Sequence, residues 1–168
     1  EFTIYDKGSK PGEKPDGKSA GLEPRQDLGA VTYEYNVLGT RGPRKMKGYI
    51  PAVEGGGGGQ RTKFVATTRD GAHGILDSFK HGRRGDMCVL VNKSPRWNEQ
   101  MQAYCLNFNG RVTHASVKNF QLVDEVDEDE RVILQFGKVC KDVFTMDFTL
   151  PMDSLRAFAV SPPHFDNQ

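Results

Sequence analysis

The chain has 168 residues, 36% of them hydrophobic and 27% charged, which fits one globular domain with a sizeable core. A mean hydropathy of −0.60, with no apolar run near the ~18 residues of a membrane helix, excludes a helical span. The net charge of +1 hides an asymmetry: 19 Lys and Arg face 12 Asp and Glu through residue 123, and 4 face 10 beyond it. The basic part points to an anionic partner.

Residues 2–5 alternate and predict a strand. The chain opens there without a Met, and no charged-then-apolar leader is visible, so an upstream portion is expected and a secretory signal is not. Residues 6–24 are rich in Gly, Pro, Lys, Ser and Asp and predict a long surface loop. Residues 28–37 predict a strand, with Val31, Tyr33 and Tyr35 alternating. A turn carrying Arg41, Arg44 and Lys45 follows, then a short strand over 46–50, stopped by Pro51.

The five glycines at 55–59 predict a loop tip. They are not a phosphate loop, because no Gly-Lys-Ser/Thr follows. Residues 62–68 predict another strand, and 69–85 a mixed loop holding Lys80, His81, Arg83 and Arg84. The apolar run over 86–92 predicts a strand buried on both faces. Asn109-Gly110 predicts a type I′ hairpin between 101–108 and 111–117. Six acids in the seven residues 124–130 predict a solvated loop.

Residues 132–140 and 143–149 predict a second hairpin around Lys141-Asp142. A helix is expected over about 151–160, with Pro151 in its first turn and Pro162-Pro163 ending it. Leu155, Phe158, Ala159 and Val160 give it a wide apolar face. A closed antiparallel sheet wrapped around that helix would bury it. Phe108, Phe120, Phe136, Phe144 and Phe158 are expected in the core, and Trp97 in packing. Cys88, Cys105 and Cys140 are odd in number and widely spaced, without a CxxC pair or zinc-type spacing. Three buried, reduced thiols and no metal are expected. No nucleophile, base and orienting group occur together and no Gly-x-Ser-x-Gly is present, so neither an enzyme nor a cofactor is expected.

Four collinear stretches carry a resemblance. They are Asn36-Val37-Leu38-Gly39-Thr40-Arg41-Gly42-Pro43-Arg44-Lys45-Met46, Lys93-Ser94-Pro95-Arg96-Trp97-Asn98, residues 106–121, and the run from Leu134-Gln135-Phe136-Gly137 through Asp142-Val143-Phe144-Thr145-Met146-Asp147 to Leu155-Arg156-Ala157-Phe158-Ala159. Over residues 2–166 the chain resembles the C-terminal part of the tubby domain of tubby-like proteins, diverging at 6–24 and 54–84. The resemblance implies a mainly β fold, an antiparallel barrel around a central apolar C-terminal helix, with the N-terminal strands of the family domain missing from this chain.

The resemblance also implies binding of phosphatidylinositol 4,5-bisphosphate in the inner leaflet and a peripheral position at the plasma membrane, with movement to the nucleus when that lipid is hydrolysed. It implies an adaptor role toward membrane-protein cargo or a ciliary trafficking complex. The family's arginine in the Leu-Arg-Gln-Glu/Asp-Leu segment corresponds to Arg25 in Pro24-Arg25-Gln26-Asp27-Leu28. Most other head-group ligands of the family lie upstream. Arg41, Arg44 and Lys45 form a candidate basic rim, and Lys7, Lys10, Lys14 and Lys18 would each add about 1 kcal/mol near an anionic leaflet. A nuclear DNA-binding protein and a protein-only scaffold are the alternatives; a nucleic-acid partner is the less favoured, because the one expected helix is apolar.

Overall fold

Nine strands and two helices follow one another in the computed structural model, which describes residues 1–12, 21–34, 45–55 and 59–161. The strands are β1 (Phe2–Tyr5), β2 (Asp27–Tyr33), β3 (Met46–Pro51), β4 (Met87–Asn92), β5 (Arg96–Asn98), β6 (Ala103–Cys105), β7 (Phe120–Asp124), β8 (Val132–Cys140) and β9 (Val143–Phe148). The helices are α1 (Ile75–Lys80) and α2 (Ser154–Val160). Seven strands form an antiparallel sheet in the order β1-β2-β3-β4-β7-β8-β9, and β5-β6 make a separate ribbon.

Helix α2 packs on both β2 and β9. Those strands lie near opposite ends of the sheet, so the sheet must curl to bring both against one helix. The result is half a barrel. Val31, Ile50, Leu90, Leu122, Leu134 and Phe136 fill its α2 side together with Ala157 and Val160. Side chains alternate across a strand, so Ala30, Tyr49 and Val89 face the other way, onto Phe64 and Ile75 of the α1 layer. Strands β2 to β4 are therefore covered on both sides, and this accounts for the near-continuous apolar run of β4.

The structure corrects several expectations. Pro151 is not in the first turn of α2, which starts at Ser154 and is capped by Asp153, whose carboxylate accepts from the Arg156 amide at 2.9 Å. Leu155 and Phe158 are 57% and 65% exposed, because only the Arg156, Ala157 and Val160 face meets the half-barrel. Residues 62–68 are not a strand. They run irregularly, with the Phe64 carbonyl accepting the Asp27 amide at 2.8 Å. The 69–85 stretch contains α1, held through Ile75 on the sheet. Cys140 is exposed and the other two thiols are only partly buried.

The Asn109-Gly110 turn forms, with φ of 50° and 76° and the Arg111 amide on the Phe108 carbonyl at 2.9 Å. The hairpin does not. Segment 103–105 pairs back on β5, and the chain after the turn bonds to β8, where Thr113 Oγ1 donates to the Val139 carbonyl at 2.6 Å. The hairpin at Lys141-Asp142 is as expected, with Asp142 at φ 59°.

The acidic run 124–130 is exposed at Glu125, Val126, Glu128 and Asp129, as a solvated loop should be, and it also ties other segments together. Glu125 meets Lys47 and Arg84 at 2.9 and 3.1 Å. Glu130 meets Arg96 at 3.0 Å, and its carbonyl accepts from Lys93 Nζ.

Candidate functional site

Arg25 leads into β2 from a tightly bonded corner. The Asp6 carboxylate accepts the amides of Gly8 and Gln26, both at 3.0 Å. Ser9 and Pro24 form a parallel bridge, with the Arg25 amide on the Ser9 carbonyl at 3.0 Å. Position 8 must be glycine: a Cβ there would lie 2.4 Å from Arg25 Cα and 2.7 Å from the Glu23 carbonyl oxygen. The corner therefore fixes the Arg25 backbone against β1.

The guanidinium carbon of Arg25 stands 3.5 Å above the centroid of the Tyr5 ring, a cation–π contact. Its Nε is buried without a hydrogen-bond partner among the described residues. Arginine presents five donors in a planar fork. Stacking fixes the plane of that fork and consumes none of the donors.

Asp27, two residues on, is 5% exposed. Its Oδ2 accepts from the Ile75 amide at 2.8 Å, tying β2 to the start of α1. Burial pushes the Asp27 carboxyl above the ordinary carboxylate range, while the Ile75 amide and Arg25 oppose the rise. Between β1 and α1 lies a cleft of about 310 Å³, walled by Thr3 and Tyr5 on one side and Leu76 and Lys80 on the other. Arg25 borders this cleft through Tyr5 but is not part of its lining.

Of the residues expected in a basic rim, Lys45 is among the described residues and is not gathered here. Lys45 is exposed and immediately precedes β3, at the Tyr33 end of β2. That is a strand length from Arg25, roughly 20 Å at ~3.3 Å per residue. Arg41, Arg44, Lys14 and Lys18 lie outside the described residues. Sequence reasoning missed Tyr5, although its place in the alternation of β1 was readable. It also missed Arg69 and Lys80 as cleft residues. No group of three or more His, Cys, Asp or Glu among the described residues is placed to hold a metal ion, and no helix there is long and apolar enough to cross a membrane.

A model of the Tub family matches residues 1–167. The chain belongs to the Tub family. It is 42% identical over 165 residues to Tubby protein homolog 1 of Caenorhabditis briggsae, which covers 98% of this chain and 38% of that protein. It is 42% identical over 167 residues to Protein king tubby 2 of Aedes aegypti, covering 99% and 38%. Tubby-related protein 1 of Mus musculus is 41% identical over 167 residues, covering 99% and 30%. The chain thus spans less than two fifths of the length of these relatives. The mainly β fold, a curled half-barrel sheet with a C-terminal helix, is consistent with a Tub-family domain.

Proposed function

We propose that this Tub-family chain contributes to binding a phosphoinositide head group, phosphatidylinositol 4,5-bisphosphate of the inner leaflet, and acts as a non-enzymatic, membrane-tethered adaptor. The observation that carries the reading is Arg25: its guanidinium is stacked on Tyr5, with a buried Nε that has no acceptor among the described residues. A phosphate can be met by the outer edge of the stacked guanidinium, and paired charge-assisted bonds from one guanidinium to one phosphate are among the strong ones. The exposed Lys7 on the neighbouring corner adds point charge without a fixed geometry.

The reading places the protein at the cytoplasmic face of the plasma membrane, with release, and a nuclear pool, when the lipid is hydrolysed. Its adaptor role toward membrane-protein cargo follows the family. Sedimentation with vesicles of phosphatidylcholine, with and without phosphatidylinositol 4,5-bisphosphate, tests it. The chain should pellet with the bisphosphate vesicles, less so as salt rises, and Arg25→Glu should remain in the supernatant. Equal sedimentation of Arg25→Glu would refute the assignment.

A further inference from the structure

The lining of the cleft between β1 and α1 holds four carboxylate and two cationic side chains. Carboxylates of Glu1, Asp27, Asp70 and Asp77 line it, against the cations of Arg69 and Lys80. Lys80 Nζ lies 3.4 Å from Glu1. Asp77 accepts the His73 amide at 2.9 Å and meets Arg83 at 3.6 Å, both outside the lining. Arg69 in the lining and Arg25 just outside it are the cations left to face Asp27 and Asp70.

Asp27 is the buried member of the set. Its Oδ2 is satisfied by the Ile75 amide, and its Oδ1 has no hydrogen-bond partner among the described residues. A buried carboxylate oxygen left without a donor carries its full desolvation cost. The carboxyl is also fixed in place, since a Cβ on Gly74 would come within 2.6 Å of Oδ2. A metal ion does not suit the site, because no three carboxylate, imidazole or thiolate groups converge among the described residues. A volume of about 310 Å³ is at the small end for ligand pockets and fits an aliphatic chain better than a nucleotide.

We propose that this cleft takes an alkylammonium group, free or carried on a lysine side chain of a partner protein, with Asp27 as its buried counter-charge and Asp70 as a second. An ammonium is a compact charge with three donors, which can serve Asp27 and Asp70 together. The ligand differs from that of the lipid reading, and Arg25, whose charge acts on Asp27, lies outside the lining.

Amide NMR titration of the 168-residue chain with n-butylammonium chloride tests the proposal, with butan-1-ol and sodium chloride as controls and acetyl-Gly-Lys-Gly-amide as the side-chain source. Saturable shifts at Gly74 and Ile75 are expected with the amine and not with the controls. Tighter binding of the lysine peptide than of the amine identifies a protein side chain as the ligand, and the reverse order a free amine; either order upholds the cleft. Asp27→Asn keeps an oxygen for the Ile75 amide and should weaken binding at least about tenfold. Asp70→Asn, at a position exposed to solvent, should weaken it by a smaller factor, and Glu128→Gln in the distant acidic run should leave it unchanged. Equal shifts with butan-1-ol, no saturable shift, or unaltered titration in both Asp27→Asn and Asp70→Asn would overturn the proposal.

Discussion

Asp153 joins three parts of the chain at a single side chain. Its carboxylate caps α2 through the Arg156 amide, pairs with the Arg156 guanidinium, and meets Arg61 at 3.4 Å. Arg156 is 8% exposed and donates from Nε to the Leu28 carbonyl at 2.7 Å, while Arg61 reaches the Pro51 carbonyl. Burial raises the Asp153 carboxyl, but the Arg156 amide, both guanidinium charges and the Arg156 side-chain bond together hold it below its ordinary value. A carboxylate held low in the folded state stabilises the fold above its unfolded pKa, and that contribution is lost as pH falls through the lowered one. Asp153→Asn preserves the cap and removes the charge. It should cost about 1 kcal/mol at pH 7, modest because the side chain is 39% exposed and partly screened. The wild-type and variant unfolding free energies should converge as pH drops below 3.8. Parallel urea curves at pH 7 and pH 3 would argue against the ionic role.

Gly8 is the second residue whose substitution has a defined consequence. Gly8→Ala drives a methyl into the Arg25 backbone, and backbone cannot rotate away as a flexible side chain can. A loss of about 1–3 kcal/mol is expected by chemical denaturation, together with loss of the Arg25–Tyr5 stacking. The identity of Arg25 was legible through its motif. Its stacking on Tyr5 was not, because the two residues are twenty apart in sequence and no local pattern pairs them.

Among the elements, α2 is where pattern and packing diverge most instructively. Leu155, Phe158, Ala159 and Val160 mark a helix correctly, yet of these only Val160 is on the packed side, with Arg156 and Ala157. The apolar stripe is wider than the surface that meets it, and the stripe alone does not say which part is covered. Phe158→Ser should therefore shift stability by less than about 0.5 kcal/mol. Val160→Ala should cost about 2 kcal/mol, two methyl groups plus the cavity they leave. Thermal unfolding of both variants decides whether the assignment of faces is right.

Helix α1 had a readable signal that its length concealed. Ile75 and Phe79 sit at i and i+4, and Gly82 follows with φ 77°, the left-handed conformation common after a helix end. Six residues are too few for periodicity to stand out from a mixed loop. The Asn109-Gly110 turn shows the complementary case. Local chemistry specified the turn, but partner choice for the flanking segments is a tertiary matter, settled here by β5 on one side and β8 on the other.

For the whole molecule, the half-barrel has two free sheet edges, β1 and β9, among the described residues. Phe148, Leu150, Leu155 and Phe158, each more than 40% exposed, lie on β9, on α2 and between them. Unpaired edges and apolar patches of this kind favour association. Sedimentation equilibrium on this chain should show concentration-dependent self-association, reduced in the double variant Leu155→Ser with Phe158→Ser. A monomer across the whole concentration range would mean that the open side is better protected than its exposure indicates.

The central claim is that Arg25 presents its guanidinium to an anionic head group. The most direct measurement follows the Arg25 side-chain Nε–H resonance while inositol 1,4,5-trisphosphate is titrated into the chain. A saturable downfield shift of that resonance, accompanied by the Tyr5 ring protons, is the predicted result. A titration that moves other arginines and leaves the Arg25 Nε–H where it began would contradict the account.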